Sequence, residues 1–485
     1  MNTVGDNGYT VIKEKLTNAQ ITKIRKDLTV KPFVNTSFGV EAPAFAIYME
    51  SKRKLYLPRY YGIKEYGYPS NFRINNGESI DIEFKGSLKD KQLPIVDAFN
   101  NAIKDKFIGG GIISVPCGYG KTVLGLYLAT KLKLKTLVIV HKEFLMNQWK
   151  ERIEQFVPDA RVGRIQRKNI ITDDCDIVIG LLQSISMIEY PEDTFKGFGF
   201  VIYDECHHLG AEVFSRALLK TNTRYTLGLS ATPKRQDGLS SVFEWYLGPM
   251  VYVVNKRESE TVDVQLYHYH DDNHDYSKLM LNMRGQPNLP IMINKICEYK
   301  PRINLITTLI CQCLKEGRKI LLLSDRKNHL GLIKEELDKI ALLTNSNFTS
   351  GYYLGGMKQT ELEKTEKNDV ILGTFSMASE GFDCREPLDT IILASPKSNI
   401  EQAVGRILRQ EAKDRKFVPL VIDIIDEFAT FPRQGLKRVQ FYKRNKYNIT
   451  TFDKNMEPIA NKFVKKTKPK QQEQEQDLEF LPDSD

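Results

Sequence analysis

A short segment, residues 114–122, carries residue types that bind a phosphate chain. It reads SVPCGYGKT, begins at the end of the apolar run GIISV and precedes the helical stretch VLGLYLATKLK. Glycines between a buried strand and a helix let the backbone curl until its N–H groups face a phosphate. Lys121 would supply positive charge to the β- and γ-phosphates, and the Thr122 hydroxyl would bind Mg²⁺. We therefore predict an ATP site formed by Pro116, Cys117, Gly118, Tyr119, Gly120, Lys121 and Thr122.

Two acidic residues, Asp204 and Glu205, end the apolar run FGFVIYDE. Open parallel sheets bind ligands at the carboxyl ends of their strands, so these side chains should reach the same site. We expect Asp204 to lie on the metal side, acting through water, and Glu205 to orient or deprotonate the attacking water. His207 and His208 follow directly and are expected to couple the site to neighbouring loops. Further upstream, the amide of Gln92 is placed to read an adenine edge.

A third pattern, QAVGRILR, places two arginines three residues apart, on one face of a predicted helix. A planar and permanently charged guanidinium suits the charge that develops on a phosphoryl group. From a facing lobe, Arg406 and Arg409 would therefore act as arginine fingers. The alternative is an amphipathic helix with surface arginines.

These residues must be positioned by two series of buried strands. GIISV, TLVIV, DIVIG, FGFVIYDE and YTLGLS alternate with helical stretches at 121–133 and 143–155. Such nearly uncharged runs predict strands buried on both faces of a parallel sheet, joined by helices. VDVQLYHY, KILLLSD, TSGYYLGG, DVILGTF, TIILASP and PLVIDIID form a second series of this kind. The sequence therefore predicts an α/β fold with two tandem lobes.

Composition divides the chain into four regions. Residues 1–84 are rich in Tyr, Lys and Arg and lack the βαβ rhythm, which predicts a small accessory domain. We predict the first lobe at 85–250 and the second at 251–460. The polar tail at 461–485 cannot form a core and is predicted to be disordered. Its KKTKPK stretch is interpreted as part of a solvated tail, with a nuclear address or a nucleic-acid anchor as alternatives.

The charge of the chain favours a polyanionic partner. Lys and Arg number 70 against 61 Asp and Glu, a formal net charge of +9, which is typical of many nucleic-acid-binding proteins. No apolar h-region opens the chain and no run approaches the ~20 residues of a membrane span. We therefore expect a protein that is not secreted and has no membrane partner, in the cytoplasm or nucleus, or in a virion or viral factory if it is viral.

The cysteines and histidines give weaker signals. The seven cysteines are odd in number, scattered and mostly inside apolar runs, which favours reduced thiols. Cys311 and Cys313 are interpreted as core residues. His268, His270 and His274 lie close together in HYHDDNHDY. A metal site there is the alternative to a solvated strand end, which we favour.

Taken in order, the motifs resemble those of superfamily-2 helicases of the DExH type. GYGKT resembles motif I, DECHH motif II, the Ser-Ala-Thr at 230–232 motif III, DVILGTFSMASEGFD motif V and QAVGRILRQ motif VI. The phosphate loop departs from the strict motif at Val115, in a variant common in helicases. The resemblance, from about 84 to 447, implies two RecA-like P-loop NTPase lobes, ATP and Mg²⁺ as cofactors, and a nucleic-acid track. DNA is favoured as that track, and RNA is the alternative that the sequence leaves open.

The resemblance also implies roles for further residues. Ser230, Thr232 and Gln402 would couple nucleotide and track, and Gly381 and Asp383 would contact the nucleotide, Asp383 at the ribose. Contacts to the track would come from small, polar and basic residues that bind phosphates without reading sequence. Those residues are His141, Lys142, Gln183, Arg235, Ser324, Arg326, Gly355, Gly356 and Thr374.

Within the superfamily, Arg235-Gln-Asp237 looks like the Arg-x-Asp element of xeroderma-pigmentosum-group-B-type translocases of double-stranded DNA. YLPRYYG and the final VIDIIDEF…RQGLKRVQFYKR block look similar to helicases of large cytoplasmic DNA viruses, among them poxviral transcript-release helicases. No thumb-like insertion is recognisable between the lobes, which leaves open whether strands are separated. The alternatives are a motor subunit of a transcription-termination or packaging machine, with transcription or repair proteins as partners, a non-hydrolysing scaffold, and a nuclease fused to a motor.

Overall fold

The computed structural model describes residues 2–33, 43–116, 118–191, 193–210, 212–231, 238–254, 260–283, 285–380, 384, 386–410 and 412–460. The tail at 461–485 and five residues of the predicted sites lie outside these ranges. Those five residues are Cys117, Thr232, Arg235, Gly381 and Asp383.

The N-terminal region forms a small mixed sheet of its own. In order across the sheet, its strands are Met49–Glu50, Lys54–Leu57, Gly8–Ile12, Thr3–Gly5 and Asn71–Arg73. The strands Thr29–Val30 and Phe45–Ala46 form a separate antiparallel pair. The helices are Asn18–Asp27 and Arg59–Tyr66, with a 3-10 turn at Lys13–Lys15. A reciprocal capping box between Thr17 and Gln20 fixes where the first helix begins.

The first lobe contains an eight-stranded sheet. Across the sheet its strands are Asn169–Ile171, Val162–Gln166, Ile177–Leu181, Thr136–Val140, Phe200–Asp204, Tyr225–Ser230, Gly109–Ser114 and Met250–Val253. The first of these is antiparallel to its neighbour and all other pairs are parallel. The helices are Leu93–Ile103, Lys121–Leu132, Glu143–Phe156, Leu182–Met187, Glu212–Lys220 and Ser240–Leu247, with 3-10 turns at Asp90–Gln92 and Cys206–Gly210. The five predicted strands of this lobe are confirmed.

The second lobe contains a seven-stranded parallel sheet. In spatial order its strands are Ser350–Tyr353, Val370–Thr374, Ile320–Ser324, Thr390–Leu393, Leu420–Asp426, Asp263–Tyr269 and Asn448–Phe452. The helices are His274–Ser277, Leu289–Glu298, Lys300–Lys315, Lys327–Thr344, Gln359–Glu366, Phe375–Glu380, Glu401–Val404 and Phe431–Arg444, with 3-10 turns at Gly405–Leu408 and Ala412–Asp414. All six predicted strands are present, and the α/β fold with two lobes is confirmed.

Two strands differ from what the patterns predict. Met250–Val253 pairs with Gly109–Ser114, so the first sheet extends three residues past the predicted boundary at 250. Asn448–Phe452 adds an edge strand beside Asp263–Tyr269 that the sequence did not predict. Both are short segments of four or five residues, and only their pairing within the sheets identifies them as strands.

The N-terminal sheet packs directly against the first lobe. Its apolar residues form one continuous buried cluster with residues of the first lobe, including Tyr203 and Phe243. The Arg59 guanidinium is buried and donates to the carbonyl oxygens of Thr223 and Arg224. Within the described part of the chain, no helix has the length and apolar character needed to cross a bilayer.

Candidate nucleotide site and nucleic-acid interface

The loop between the strand Gly109–Ser114 and the helix Lys121–Leu132 has the geometry of a phosphate cradle. Gly118 and Gly120 have φ angles of 86° and 78°, in the left-handed region where a side chain costs free energy. Gly120 caps the helix, so the first backbone N–H groups of that helix are open to an anion. Val115 donates to the Ser230 carbonyl oxygen at 3.1 Å, which anchors the loop to the neighbouring strand.

Lys121 and Glu205 form the central ion pair of the site. The Nζ atom of Lys121 lies 2.7 Å from Oε1 of Glu205, and both side chains are 12% exposed. Burial acts to raise the pKa of Glu205, but the charges of Lys121 and His207 outweigh it and lower the pKa to about 2. Glu205 also adopts a positive φ of 48° directly after the strand that carries Asp204. The carboxylate is therefore ionised and held beside the lysine.

Asp204 lies in a different electrostatic environment from its neighbour. Burial and the negative charge of Glu205 raise the pKa of the Asp204 carboxyl. The indole Nε1 of Trp149 donates to its Oδ2 atom at 2.9 Å, and the Glu205 backbone N–H donates to Oδ1 at 3.1 Å. Two adjacent carboxyls with opposite pKa shifts are characteristic of groups with distinct chemical roles.

Oxygen atoms in this site suit a hard divalent cation. Thr122 is the second residue of the helix that begins at Lys121, and Asp204 lies at the end of a strand packed against that helix. A hydroxyl and a carboxylate are ligand types that Mg²⁺ prefers, usually with waters and phosphate oxygens completing its shell.

Histidines join this site to the adjacent strands. Nδ1 of His207 lies 3.0 Å from the Ser230 hydroxyl and 3.5 Å from Oε2 of Glu205. The rings of His141 and His208 stack with centroids 4.1 Å apart. The predicted coupling residues His207, His208 and Ser230 are therefore brought together with Glu205 and His141.

Gln92 lies against the phosphate-binding loop. Its Nε2 atom donates to the Tyr119 carbonyl oxygen at 2.9 Å, and its Oε1 atom accepts the Lys89 backbone N–H at 2.9 Å. The side chain is buried, and a methyl group at Gly120 would lie 2.5 Å from Nε2. In this arrangement the Nε2 end of the amide holds the loop and the Oε1 end holds the start of the turn that carries Gln92. Reading an adenine would require at least one of these bonds to be exchanged.

The turn of the second lobe that carries the two arginines approaches this loop at Leu408. A methyl group added at Gly118 would lie 3.9 Å from the carbonyl oxygen of Leu408, so the two lobes meet here. Arg406 and Arg409 line a cavity of about 240 Å³ together with Glu386. The predicted single helix is wrong: Glu401–Val404 is α-helical, and Gly405–Leu408 is a 3-10 turn. Arg406 is 8% exposed, whereas Arg409 follows the turn and is less buried.

Predicted track residues of the first lobe lie at the carboxyl edge of its sheet. His141 and Lys142 follow the strand Thr136–Val140, and Gln183 follows the neighbouring strand Ile177–Leu181. Gln183 is exposed, and the other two are partly exposed. Lys142 and Gln183 are therefore presented side by side. Both ring nitrogens of His141 are buried and its ring stacks on His208, so a contact from this ring to the track does not fit the structure.

The corresponding residues of the second lobe divide into two groups. Gly355 and Gly356 are exposed after the strand Ser350–Tyr353, and Arg326 is partly exposed, bonded to Asn294 and Pro290. The hydroxyl of Ser324, by contrast, is fully buried; it accepts the Arg326 N–H at 3.1 Å and lies 3.0 Å from Nδ1 of His329. Thr374 is also buried, at 9% exposure. A surface contact by these two hydroxyls does not fit their burial, and Ser324 instead holds Arg326.

Two functional contacts were missed by the sequence patterns. In the sequence, Trp149 indicates only a buried position of a helix. Its hydrogen bond to Asp204 joins residues that are 55 positions apart. Lys397 pairs with Asp325 through both carboxylate oxygens at 3.1–3.2 Å, linking the segment before the arginine turn to the loop that carries Arg326. Neither contact has a local signal in the sequence.

The three histidines of HYHDDNHDY do not converge on a common metal-binding site. His268 is buried and its Nδ1 lies 2.7 Å from Glu427, whereas His270 is exposed and lies 2.9 Å from Asp272. His274 begins a short helix. No cluster of three or more metal-binding side chains occurs among the described residues.

The same residues and fold occur in known proteins. A family model described as "Type III restriction enzyme, res subunit" matches residues 85–235. A protein of Acanthamoeba polyphaga mimivirus, named "Putative ATP-dependent RNA helicase", is 36% identical over 456 residues, which cover 92% of this chain and 86% of the mimivirus protein. The chain belongs to a family of superfamily-2 ATP-dependent helicases that large DNA viruses encode.

Other matches of this helicase are more distant. A protein of invertebrate iridescent virus 6, named "Putative helicase", is 27% identical over 399 residues, covering 76% of this chain and 84% of its own length. The crystal structure of T4 UvsW aligns over 91% of this helicase and 97% of that chain, at 18% identity and a TM-score of 0.35. As a member of this family, the helicase hydrolyses ATP and binds nucleic acid, and its two lobes are RecA-like.

Proposed function

We propose that Lys121, Asp204 and Glu205 carry the ATPase chemistry. The 2.7 Å pair between Lys121 and Glu205 is the observation that supports this assignment most directly. When ATP enters, its phosphates compete with Glu205 for the lysine ammonium. Glu205 then loses the partner that lowers its pKa and becomes a stronger base toward the attacking water. The ion pair thus keeps the base inactive until a nucleotide is bound.

Thr122 and Asp204 would hold Mg²⁺, with Trp149 fixing the carboxylate. A bound magnesium ion would neutralise charge on the β- and γ-phosphates. The indole donor at 2.9 Å orients Asp204 and favours its ionised form, which a cation ligand requires. The pKa of Glu205 is lowered and that of Asp204 is raised. This difference supports separate roles, with Glu205 as the base and Asp204 as the carboxylate on the metal side.

Arg406 and Arg409 would complete the site from the second lobe. The approach of Leu408 to Gly118 brings the arginine turn to the phosphate-binding loop. Guanidinium groups from a facing lobe stabilise transferring phosphoryl charge and sense whether the γ-phosphate is present. Hydrolysis then releases the bridge between the lobes, and repeated closure moves the protein along a strand held by both. Gln402, Ser230 and the histidines would transmit this change.

We infer that the track is DNA, gripped through its phosphates. The predicted contacts at the sheet edges are exposed glycines, an amide and basic side chains, which bind backbone rather than bases. The Arg-x-Asp resemblance at 235–237 favours duplex DNA. An RNA track is the second candidate, because the mimivirus relative is named an RNA helicase. A part in viral transcription, in the cytoplasm or a viral factory, would fit either track.

The deciding experiment measures ATP hydrolysis without nucleic acid and with single-stranded DNA, duplex DNA or RNA at fixed low salt. Stimulation by duplex DNA is expected. Stimulation by RNA alone would overturn the DNA assignment, and stimulation by single strands alone would replace duplex translocation with strand tracking. The affinity for the track should fall steeply with salt, because phosphate contacts dominate it.

A further inference from the structure

A basic hairpin lies at the outer edge of the first lobe. The strands Val162–Gln166 and Asn169–Ile171 are antiparallel, with Gln166 opposite Asn169, so Arg167 and Lys168 form the connecting turn. Neither residue belongs to a motif used above, and neither takes part in the nucleotide site. The pattern VGRIQRKNII gave no functional signal of its own.

The turn lies on the same edge of the sheet as the predicted track residues. Val162–Gln166 runs parallel to Ile177–Leu181, which runs parallel to Thr136–Val140. The carboxyl ends of these three neighbouring strands therefore lie in one row. They lead into Arg167, Gln183 and Lys142. The hairpin turn extends the row of Lys142 and Gln183 by one more strand.

The turn is held in place by side chains that flank Gln183. The Arg167 backbone N–H donates to the Ser184 hydroxyl at 2.9 Å, and the Tyr190 hydroxyl donates to the Arg167 carbonyl oxygen at 2.9 Å. Arg167 itself has a φ of 53°, a left-handed conformation that is uncommon for residues other than glycine and asparagine. These bonds fix the Arg167 backbone directly beside the residue that follows Gln183.

The basic residues at the amino ends and at the carboxyl ends of these strands differ in whether a carboxylate neutralises them. At the amino edge, Arg161 is bound by Asp176 at 2.8 Å. At the carboxyl edge, Arg167 and Lys168 are exposed, and among the described residues no carboxylate forms an ion pair with either one. Two uncompensated cations beside an exposed amide are a suitable surface for a phosphate backbone.

We propose that the Arg167–Lys168 turn binds the phosphate backbone of the nucleic-acid track, as the outermost contact of the first lobe. This inference rests on the proposed function, in which Lys142 and Gln183 contact the same strand. Five strand spacings separate Val162–Gln166 from Gly109–Ser114, which is roughly 24 Å at the usual spacing. The turn is thus too far from the phosphate-binding loop to touch ATP, and its loss should weaken track binding alone.

The test removes both positive charges but keeps polar side chains, in the double variant Arg167→Gln with Lys168→Gln. Its control is Lys104→Gln with Lys106→Gln, two exposed lysines just before the strand Gly109–Ser114, at the opposite edge of the same sheet. Both doubles remove two positive charges. Dissociation constants for fluorescent duplex DNA, single-stranded DNA and RNA are measured across salt concentrations, together with ATP hydrolysis without nucleic acid.

The hairpin variant should bind the preferred nucleic acid at least about tenfold more weakly at moderate salt. Its slope of log affinity against log salt should fall by about 1.4 to 1.8, two phosphate contacts at ~0.7 to ~0.9 each. Hydrolysis without nucleic acid should be unchanged, and the control double should behave like the unaltered protein. An unchanged slope in the hairpin variant, or an equal loss in the control, overturns the proposal. If the unaltered protein binds none of the three nucleic acids, the proposed track itself is wrong.

Discussion

Lys121 donates to Glu205 across 2.7 Å, so the cation expected on ATP phosphates is held by the expected base. The two residues are 84 positions apart in the chain. They are brought together because the strand before the Lys121 loop and the strand before Glu205 are separated by a single strand in the parallel sheet. Each neutralises a charge that would otherwise be costly to bury. We therefore expect the pair to open when a nucleotide binds, because the phosphates compete with Glu205 for the ammonium.

Replacing Lys121 by Ala should abolish ATP hydrolysis while leaving the fold intact. The phosphates lose their cation, and Glu205 loses the charge that lowers its pKa, which should rise toward its ordinary value of about 4.5. Hydrolysis assays and circular dichroism provide the measurement. Lys131→Ala, an exposed position on the same helix, should retain full activity. Turnover in a properly folded Lys121→Ala protein would contradict the assignment of the phosphate loop.

Replacing Trp149 by Phe should remove the hydrogen bond to Asp204 without creating a large cavity in the core. The ring packing is largely kept, but the Asp204 oxygen loses its 2.9 Å donor, so the already raised pKa of Asp204 should rise further. We expect the acidic limb of the kcat profile to move to higher pH and more Mg²⁺ to be needed for half-maximal activity. The unsatisfied acceptor should cost about 1–3 kcal/mol of stability.

The chain's other tryptophan provides a matched control for this change. The ring of Trp245 lies edge-on against Tyr61 of the N-terminal region. Trp245→Phe should change stability without moving the pH profile. If both variants shift the profile equally, or neither does, Trp149 has no positioning role.

Replacing Arg409 by Ala should slow hydrolysis more than it weakens nucleotide binding. The guanidinium is expected to act on charge that develops in the transition state, so kcat should fall by at least about a hundredfold, on the scale of arginine fingers. Nucleotide affinity, measured by calorimetry, should change much less. Arg433→Ala, an exposed arginine of the same lobe, should leave both quantities unchanged. Equal losses of kcat and affinity in the Arg409 variant would argue against a finger.

Much of the candidate nucleotide site could be located from the sequence because its signals are local. The glycines, Lys121 and Thr122 lie on one strand–loop–helix unit, and Asp204 with Glu205 ends a strand whose apolar run is continuous. Both buried sheets were predicted for the same reason, since parallel strands with two covered faces have few polar residues.

Other features depend on contacts that no local pattern contains. Trp149 meets Asp204 only after the sheet has formed. The arginine segment forms a 3-10 turn in which Arg406 is buried, and helix periodicity cannot indicate either feature. Ser324 ends a strand at the expected edge, yet its hydroxyl turns inward toward His329. The sequence around Arg167 contains no functional motif, and only the strand order shows that this turn lies beside Gln183.

His329 should make the second lobe sensitive to mild acid. Burial and the charge of Arg302 hold its pKa well below 6.5, so the folded protein keeps the ring neutral while the unfolded chain takes up a proton. The resulting stability is fully present above pH 6.5 and is lost as pH falls toward the folded-state pKa, by about 1.4 kcal/mol per unit. His329→Asn keeps a polar partner for the Ser324 hydroxyl but does not titrate. Urea unfolding at pH 7.5 and 5.0 should therefore show a loss for the unaltered protein that exceeds the loss for the variant by about 2 kcal/mol. Identical losses would mean that His329 takes up its proton as readily in the folded lobe as in the unfolded chain.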